Sequence, residues 1–198
     1  VRLLFRLRVD GVEHLPEQGP YIIAPNHTSS LDPFVLSTAM GYHRIRQTAW
    51  AGRRGALLEN PVRRFVNRLA HAIPIRRNAT ALAVGAAVLQ RGRVLVWFPE
   101  GTRSENGQLL PFKRGVGVLM DHFQVPAIPA YIHGAYDAMP RHIRWPHRLG
   151  PIRVAFGPAL HPQPFQNEAD RDVRVARMVA ELRERVVALG ENLAVSNN

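Results

Sequence analysis

Tyr21-Ile22-Ile23-Ala24-Pro25-Asn26-His27-Thr28-Ser29-Ser30-Leu31-Asp32 reads as a strand running through a polar turn into a helix. Tyr21 to Ala24 is apolar on both faces, the pattern of a parallel strand covered on each side. Leu31 to Met40 has helical spacing, so His27 stands where strand becomes helix. Ligand sites in open α/β sheets gather at the carboxyl ends of strands, which makes His27 well placed for chemistry. Asp32 follows five residues later, and five steps of about 100° leave two side chains on different faces of one regular helix. A loop His and a first-turn Asp can still meet. The carboxylate would then accept from Nδ1, fix the tautomer and leave Nε2 to take a proton. Taken alone, the same pair also fits a turn residue and an N-terminal helix cap.

Outward from this stretch, Ile45 to Ala51, Val94 to Phe98, Ala127 to Ile132 and Ile152 to Phe156 have strand length. Leu31 to Met40, Pro61 to Ala70, Ala79 to Gln90 and Gly115 to Phe123 have helical spacing and the length of crossover or covering helices. Arg6 to Val12 alternates around Asp10-Gly11 and predicts an edge strand and turn. Val175, Val179, Leu182, Val186 and Leu189 recur at steps of three and four, which predicts a C-terminal amphipathic helix over about 168–189. The expected fold is α/β, a single domain over 1–198 with a mixed, mostly parallel central sheet flanked by helices. There is no internal repeat and no low-complexity linker.

The chain is 46% hydrophobic, enough to bury a core, and carries a formal charge of +11. That charge calls for an anionic partner: nucleic acid, an anionic lipid surface or a phosphorylated substrate. Aromatic residues make up only 8% and are not interleaved with Arg in a stacking or groove-reading pattern, so nucleic acid is not the expected partner. The absence of cysteine excludes disulfides, thiolate zinc sites and cysteine nucleophiles, and it fits a reducing compartment. No HExxH or comparable His spacing supports a metal site, and neither Ser29 nor Ser30 lies in a GxSxG elbow. No apolar run reaches the roughly 18 uncharged residues of a spanning helix. The chain opens at Val1 without a signal-peptide pattern and reads as a fragment of something longer. Gly52 to Ala70 mixes five Arg with Leu, Val and Phe, which suits either an anionic membrane surface or a core helix with a solvated Arg face.

A second strand, Val94 to Phe98, ends in Pro99-Glu100-Gly101-Thr102-Arg103-Ser104. Such a turn can cradle a phosphate: Gly101 allows close backbone approach, Thr102 and Ser104 can donate, and Arg103 can grip two oxygens. A decorated surface turn with an Arg–Glu ion pair is the plainer reading. Together, Asn26-His27-x-x-x-x-Asp32 and Phe98-Pro99-Glu100-Gly101-Thr102-Arg103-Ser104 resemble the glycerolipid acyltransferase family, and within it the 1-acylglycerol-3-phosphate acyltransferase group. Ala72-Ile73-Pro74-Ile75-Arg76 stands in the place of the family's second block, and Val125-Pro126-Ala127-Ile128-Pro129 matches its fourth.

The resemblance implies transfer of a fatty acyl group from acyl-CoA or acyl-ACP to a hydroxyl of a lysophospholipid, with no bound cofactor and no metal. It makes His27 the general base and Asp32 its orienter. It assigns Arg76, Glu100, Gly101, Thr102, Arg103 and, secondarily, Lys113 to the acceptor, and Val125, Pro126, Ile128 and Pro129 to the border of an acyl channel. Glu100, an anion, is expected to order Arg103 or accept from acceptor hydroxyls. The second block lacks the family's usual Gly and acid, which leaves the phosphate-binding Arg as Arg76 or Arg77 and the acceptor open among 1-acylglycerol 3-phosphate, another lysophospholipid and glycerol 3-phosphate. A non-catalytic lipid-binding domain is the alternative from another class. The expected place is the cytoplasmic face of a membrane, held peripherally or through a region outside this chain.

Overall fold

Side-chain alternation along the central strands sorts the core into two layers. In the computed structural model, which describes residues 4–53, 72–75, 78–143 and 145–195, strand β2 (Tyr21–Pro25) turns Tyr21 and Ile23 to one face and Ile22 and Ala24 to the other. All five of its residues are buried. Strand β5 (Val94–Val96) repeats the division with Val94 and Val96 against Leu95, and strand β6 (Ala127–His133) with Ile128, Ala130 and Ile132 against Ala127. Strands greasy on both faces need cover on both sides, and helices supply it.

Among the described residues the sheet has seven strands in the order β1-β7-β6-β2-β5-β3-β4, where β1 is Arg8–Asp10, β3 is Thr48–Arg53, β4 is Ala72–Ile75 and β7 is Arg153–Phe156. Among these strands only the β6–β7 pairing is antiparallel. The fold is therefore α/β with a mixed, mostly parallel sheet. Helix α1 (Asp32–Met40) places Val35, Leu36, Ala39 and Met40 in the layer shared with Ile23 and Ile128. Helices α2 (Asn78–Gln90), α3 (Gly115–Phe123) and α4 (Arg171–Val195) cover the opposite face, where Val88, Leu119, Met178 and Leu182 meet Ile22 and Leu95.

Helix α4 runs six residues past the expected end at 189, and Gly190 within that extension is a packing position. A Cβ there would come within 2.7 Å of the Tyr131 ring, so the helix passes over β6 only without one, and Leu193 beyond it is buried. Strand β4, in the weak second block, was not expected as a strand; it completes the edge by pairing with β3 from Trp50↔Ala72 to Arg53↔Ile75. The expected helix Pro61 to Ala70 and nearly all of the basic Gly52 to Ala70 segment lie outside the described residues. No described helix is long and apolar enough to cross a membrane.

Candidate active site

Strands β2 and β5 are parallel neighbours, in register from Tyr21↔Val94 to Ile23↔Val96, so the turns that follow them emerge side by side. Asn26 fixes the first turn against β6: its Nδ2 donates to the Ile132 carbonyl at 3.1 Å, and the Ile132 N–H donates to its Oδ1 at 2.7 Å. One buried amide thereby continues the sheet ladder past the point where β2 ends.

His27 follows, and Nδ1 lies 2.8 Å from Asp32 Oδ2. The same carboxylate oxygen accepts from the backbone N–H groups of Thr28 at 2.8 Å and Ser29 at 2.9 Å. Asp32 is fully buried and opens helix α1, where the helix N-terminus favours a negative charge. The turn curls back so that donors from three successive residues converge on one oxygen, which is how a loop His and a first-turn Asp meet. With Nδ1–H given to the carboxylate, Nε2 is the ring nitrogen left to accept a proton. The His27 side chain is 19% exposed, and its ring stacks on Phe98 with centroids 4.0 Å apart and planes at 25°.

Glu100 holds the other end of this arrangement. It is 2% exposed, and its Oε1 accepts from the His27 backbone N–H at 2.6 Å while Oε2 accepts from the Leu110 N–H at 2.9 Å. The Ser104 N–H donates to the His27 carbonyl at 2.8 Å. Both peptide groups of His27 are thus pinned to the second turn. Burial pushes the Glu100 carboxyl up to about 7, and the nearby Asp32 charge adds to the rise; the hydrogen bonds from Leu110 and His27 work against it. Beyond the expected dealings with Arg103 or the acceptor, both Glu100 oxygens hold backbone N–H groups, a role that sequence reading did not assign.

Arg103 donates through Nη1 to Ser30 Oγ, which brings the second turn against the first on its solvent side. Gly101 closes the turn with φ +69°, and its N–H donates to the Phe98 carbonyl at 3.0 Å. A Cβ at Gly101 would come within 2.7 Å of Lys113 Nζ, so the only lysine of the chain lies along the glycine face of this turn. Thr102 is partly buried on the same turn. His27, Asp32, Glu100, Gly101, Arg103 and Lys113 are therefore gathered at one end of the sheet. A model of the acyltransferase family matches residues 6–133.

The chain belongs to the acyltransferase family.

It is 34% identical over 147 residues to 1-acyl-sn-glycerol-3-phosphate acyltransferase alpha of Ovis aries, covering 69% of this chain and 49% of that protein. Over 189 residues it is 31% identical to 1-acyl-sn-glycerol-3-phosphate acyltransferase of Pseudomonas aeruginosa, covering 92% of this chain and 66% of that one. The crystal structure of the 1-acyl-sn-glycerophosphate (LPA) acyltransferase PlsC from Thermotoga maritima superposes with a TM-score of 0.69 at 25% identity, covering 90% of this chain and 71% of that one. The chain spans about half the length of the mammalian relatives it matches.

For this acyltransferase-family chain, the remaining expected site residues fall in two places. Arg76 and Arg77 lie outside the described residues. Val125 and Ile128 are buried in the core, and Pro129 is buried against Gly157; Pro126 is partly exposed at the start of β6, its carbonyl accepting from the Ile22 N–H at 2.9 Å. Their burial describes their packing within the fold, and the border of an acyl channel stays an expectation for these four. Ile128 and Pro129 lie in β6, a central strand, and Val125 and Pro126 lead into it. Among the described residues no group of three or more His, Asp or Glu is placed to hold a metal ion.

Sequence reading assigned no role to Asn26 or Phe98, although both lie inside the motifs, and it gave Ser104 a side-chain donor role where the structure shows its backbone N–H holding the His27 carbonyl. It missed Leu110, Met139 and Arg141 altogether. The Met139 carbonyl accepts from Ser29 Oγ at 2.7 Å, and Arg141 Nη1 donates to the Arg103 carbonyl at 3.2 Å. Nothing local in sequence marks these three, since their partners are 10 to 110 residues away.

Proposed function

We propose that this chain is an O-acyltransferase that moves a fatty acyl group from acyl-CoA or acyl-ACP to the free hydroxyl of a lysophospholipid, 1-acylglycerol 3-phosphate first among them. The observation that carries the reading is the 2.8 Å contact between His27 Nδ1 and Asp32 Oδ2. It presets the tautomer in which Nε2 can act as a base. The names of the relatives support the choice of acceptor.

The acceptor hydroxyl gives its proton to His27 Nε2 as its oxygen attacks the thioester carbonyl carbon. The tetrahedral intermediate collapses with cleavage of the C–S bond, and the proton passes from His27 to the departing sulfur, leaving ester and free thiol. General-base assistance of this kind is worth about 10² to 10⁴ in rate, and orienting the two reactants supplies much of the remainder. Arg103 on the second turn and Lys113 beside it are suited to hold an anionic acceptor near His27. Glu100 acts on the reaction through His27 as a positioning residue.

An acceptor screen with a labelled acyl thioester, run on the wild type and on His27→Ala, tests the reading and separates the three acceptors. Ester formed on 1-acylglycerol 3-phosphate by the wild type alone is the expected result. Thioester consumed without any acceptor would make the chain a hydrolase, and equal turnover by His27→Ala would end the proposed mechanism.

A further inference from the structure

The segment that follows β6 leaves the sheet beside the two catalytic turns and carries three large apolar side chains into solvent: Ile143 is 40% exposed, Trp145 79% and Leu149 62%. Isolated exposed apolar residues are ordinary, but three within seven positions on one loop call for a partner. The loop is held at its base. Its Met139 carbonyl accepts from Ser29 Oγ at 2.7 Å, between His27 and Asp32 in sequence, and Arg141 Nη1 reaches both the Arg103 carbonyl at 3.2 Å and Glu105 Oε1 at 3.0 Å. The His147 N–H closes the loop on the Ala138 carbonyl at 3.1 Å.

Charge narrows what the partner is. Residues 138–167 contain neither Asp nor Glu, while His142, His147 and Arg148 are interleaved with the exposed apolar side chains. An acidic or neutral protein surface would match either the charge or the greasy tips. An anionic bilayer matches both at once: phosphate headgroups for the basic side chains, and a headgroup–acyl boundary in which a Trp ring with apolar neighbours is favourably placed.

We propose that this loop is a membrane-docking surface that inserts Ile143, Trp145 and Leu149 into the interface of an anionic phospholipid bilayer and so holds the His27 and Arg103 turns at the lipid. It differs from the basic segment 52–70, and it rests on the acyl-transfer reading only for the statement that the site meets lipid.

The test uses the full chain with vesicles of phosphatidylcholine alone or with a quarter phosphatidylglycerol. Trp145 emission should move to shorter wavelength with the anionic vesicles, and Trp145→Phe, with Trp50 and Trp97 retained, should abolish that shift while keeping most of the binding. The double variant Trp145→Ser with Leu149→Ser, and separately Arg148→Glu, should lower co-sedimentation with anionic vesicles by about tenfold. Both should leave turnover of monomeric short-chain substrates unchanged. Emission untouched by vesicles, or variants retained as well as wild type, overturns the surface. A chain that docks through the loop yet transfers no acyl group refutes the proposed function and supports the surface; one active on monomeric substrates whose docking ignores the loop refutes the surface alone.

Discussion

In the proposed reaction, proton abstraction by His27 would depend on the residue being fixed twice, once at the ring and once at the backbone. Asp32 Oδ2 holds Nδ1 and the two following backbone N–H groups, so Asp32→Asn would present an amide to donors arranged for a carboxylate and disturb the tautomer. Its kcat is expected to fall about 10² to 10⁴-fold, as for His27→Ala, with the circular dichroism spectrum unchanged. Glu100 holds the backbone, and Glu100→Gln faces one of two N–H donors with an NH2 group. Displacing His27 by a fraction of an ångström should cost on the order of 10- to 100-fold in kcat with KM little affected; a KM effect alone would place Glu100 on the acceptor instead. The titration gives a second readout. A carboxyl at about 7 in the folded chain, against an ordinary 4.5, binds its proton more tightly folded than unfolded. It favours the folded state below about 4.5, and that contribution is lost as pH rises through about 7. Thermal midpoints measured from pH 4.5 to 7.5 should show this downward contribution in the wild type and its loss in Glu100→Gln.

At the scale of elements, helix α4 is joined to α3 by charge and by close packing. Asp121, buried near the end of α3, accepts from Arg174 Nε at 2.7 Å and from Arg171 Nε at 3.0 Å, and these partners, Arg174 foremost, hold its carboxyl below the usual range. That depression stabilises the fold above the ordinary carboxylate value and is lost in acid. Asp121→Asn should lower stability by about 1 to 3 kcal/mol at neutral pH, measured by urea unfolding, and remove part of the acid sensitivity. Gly117 sets the spacing of the same pair, since a Cβ there would come within 2.7 Å of Val179 and 2.9 Å of the Val175 carbonyl. Leu182, fully buried where α4 crosses the sheet, should cost about 2 to 5 kcal/mol on replacement by Ala. Neither Asp121 nor Leu182 touches His27 or Asp32, so the folded fraction of each variant should keep wild-type kcat.

For the whole molecule, a charge of +11 on 198 residues predicts that work on a lipid surface is salt-dependent in a way that work on monomeric substrate is not. Raising ionic strength from 0.05 to 0.5 M shortens screening from about 14 Å to about 4 Å and should reduce turnover of vesicle-borne acceptor several-fold; equal loss on short-chain substrate would place the effect in the site itself. The sequence alone determined the class of fold, because strands apolar on both faces between helical segments admit little but a covered, mostly parallel sheet. It also pointed to His27 and Asp32 and to the Glu100–Ser104 turn, because together these two motifs resemble those of the acyltransferase family, while each alone also fitted a cap or a surface turn. Tertiary structure decided the rest. Gly190 lets helix α4 cross Tyr131 and run on past 189, and Ala127 to Pro129 of the fourth block lie in a central strand. Glu100 grips the His27 backbone across 73 residues of chain. Each of these depends on a contact with something distant in sequence, whereas periodicity and spacing report only what neighbours along the chain must do.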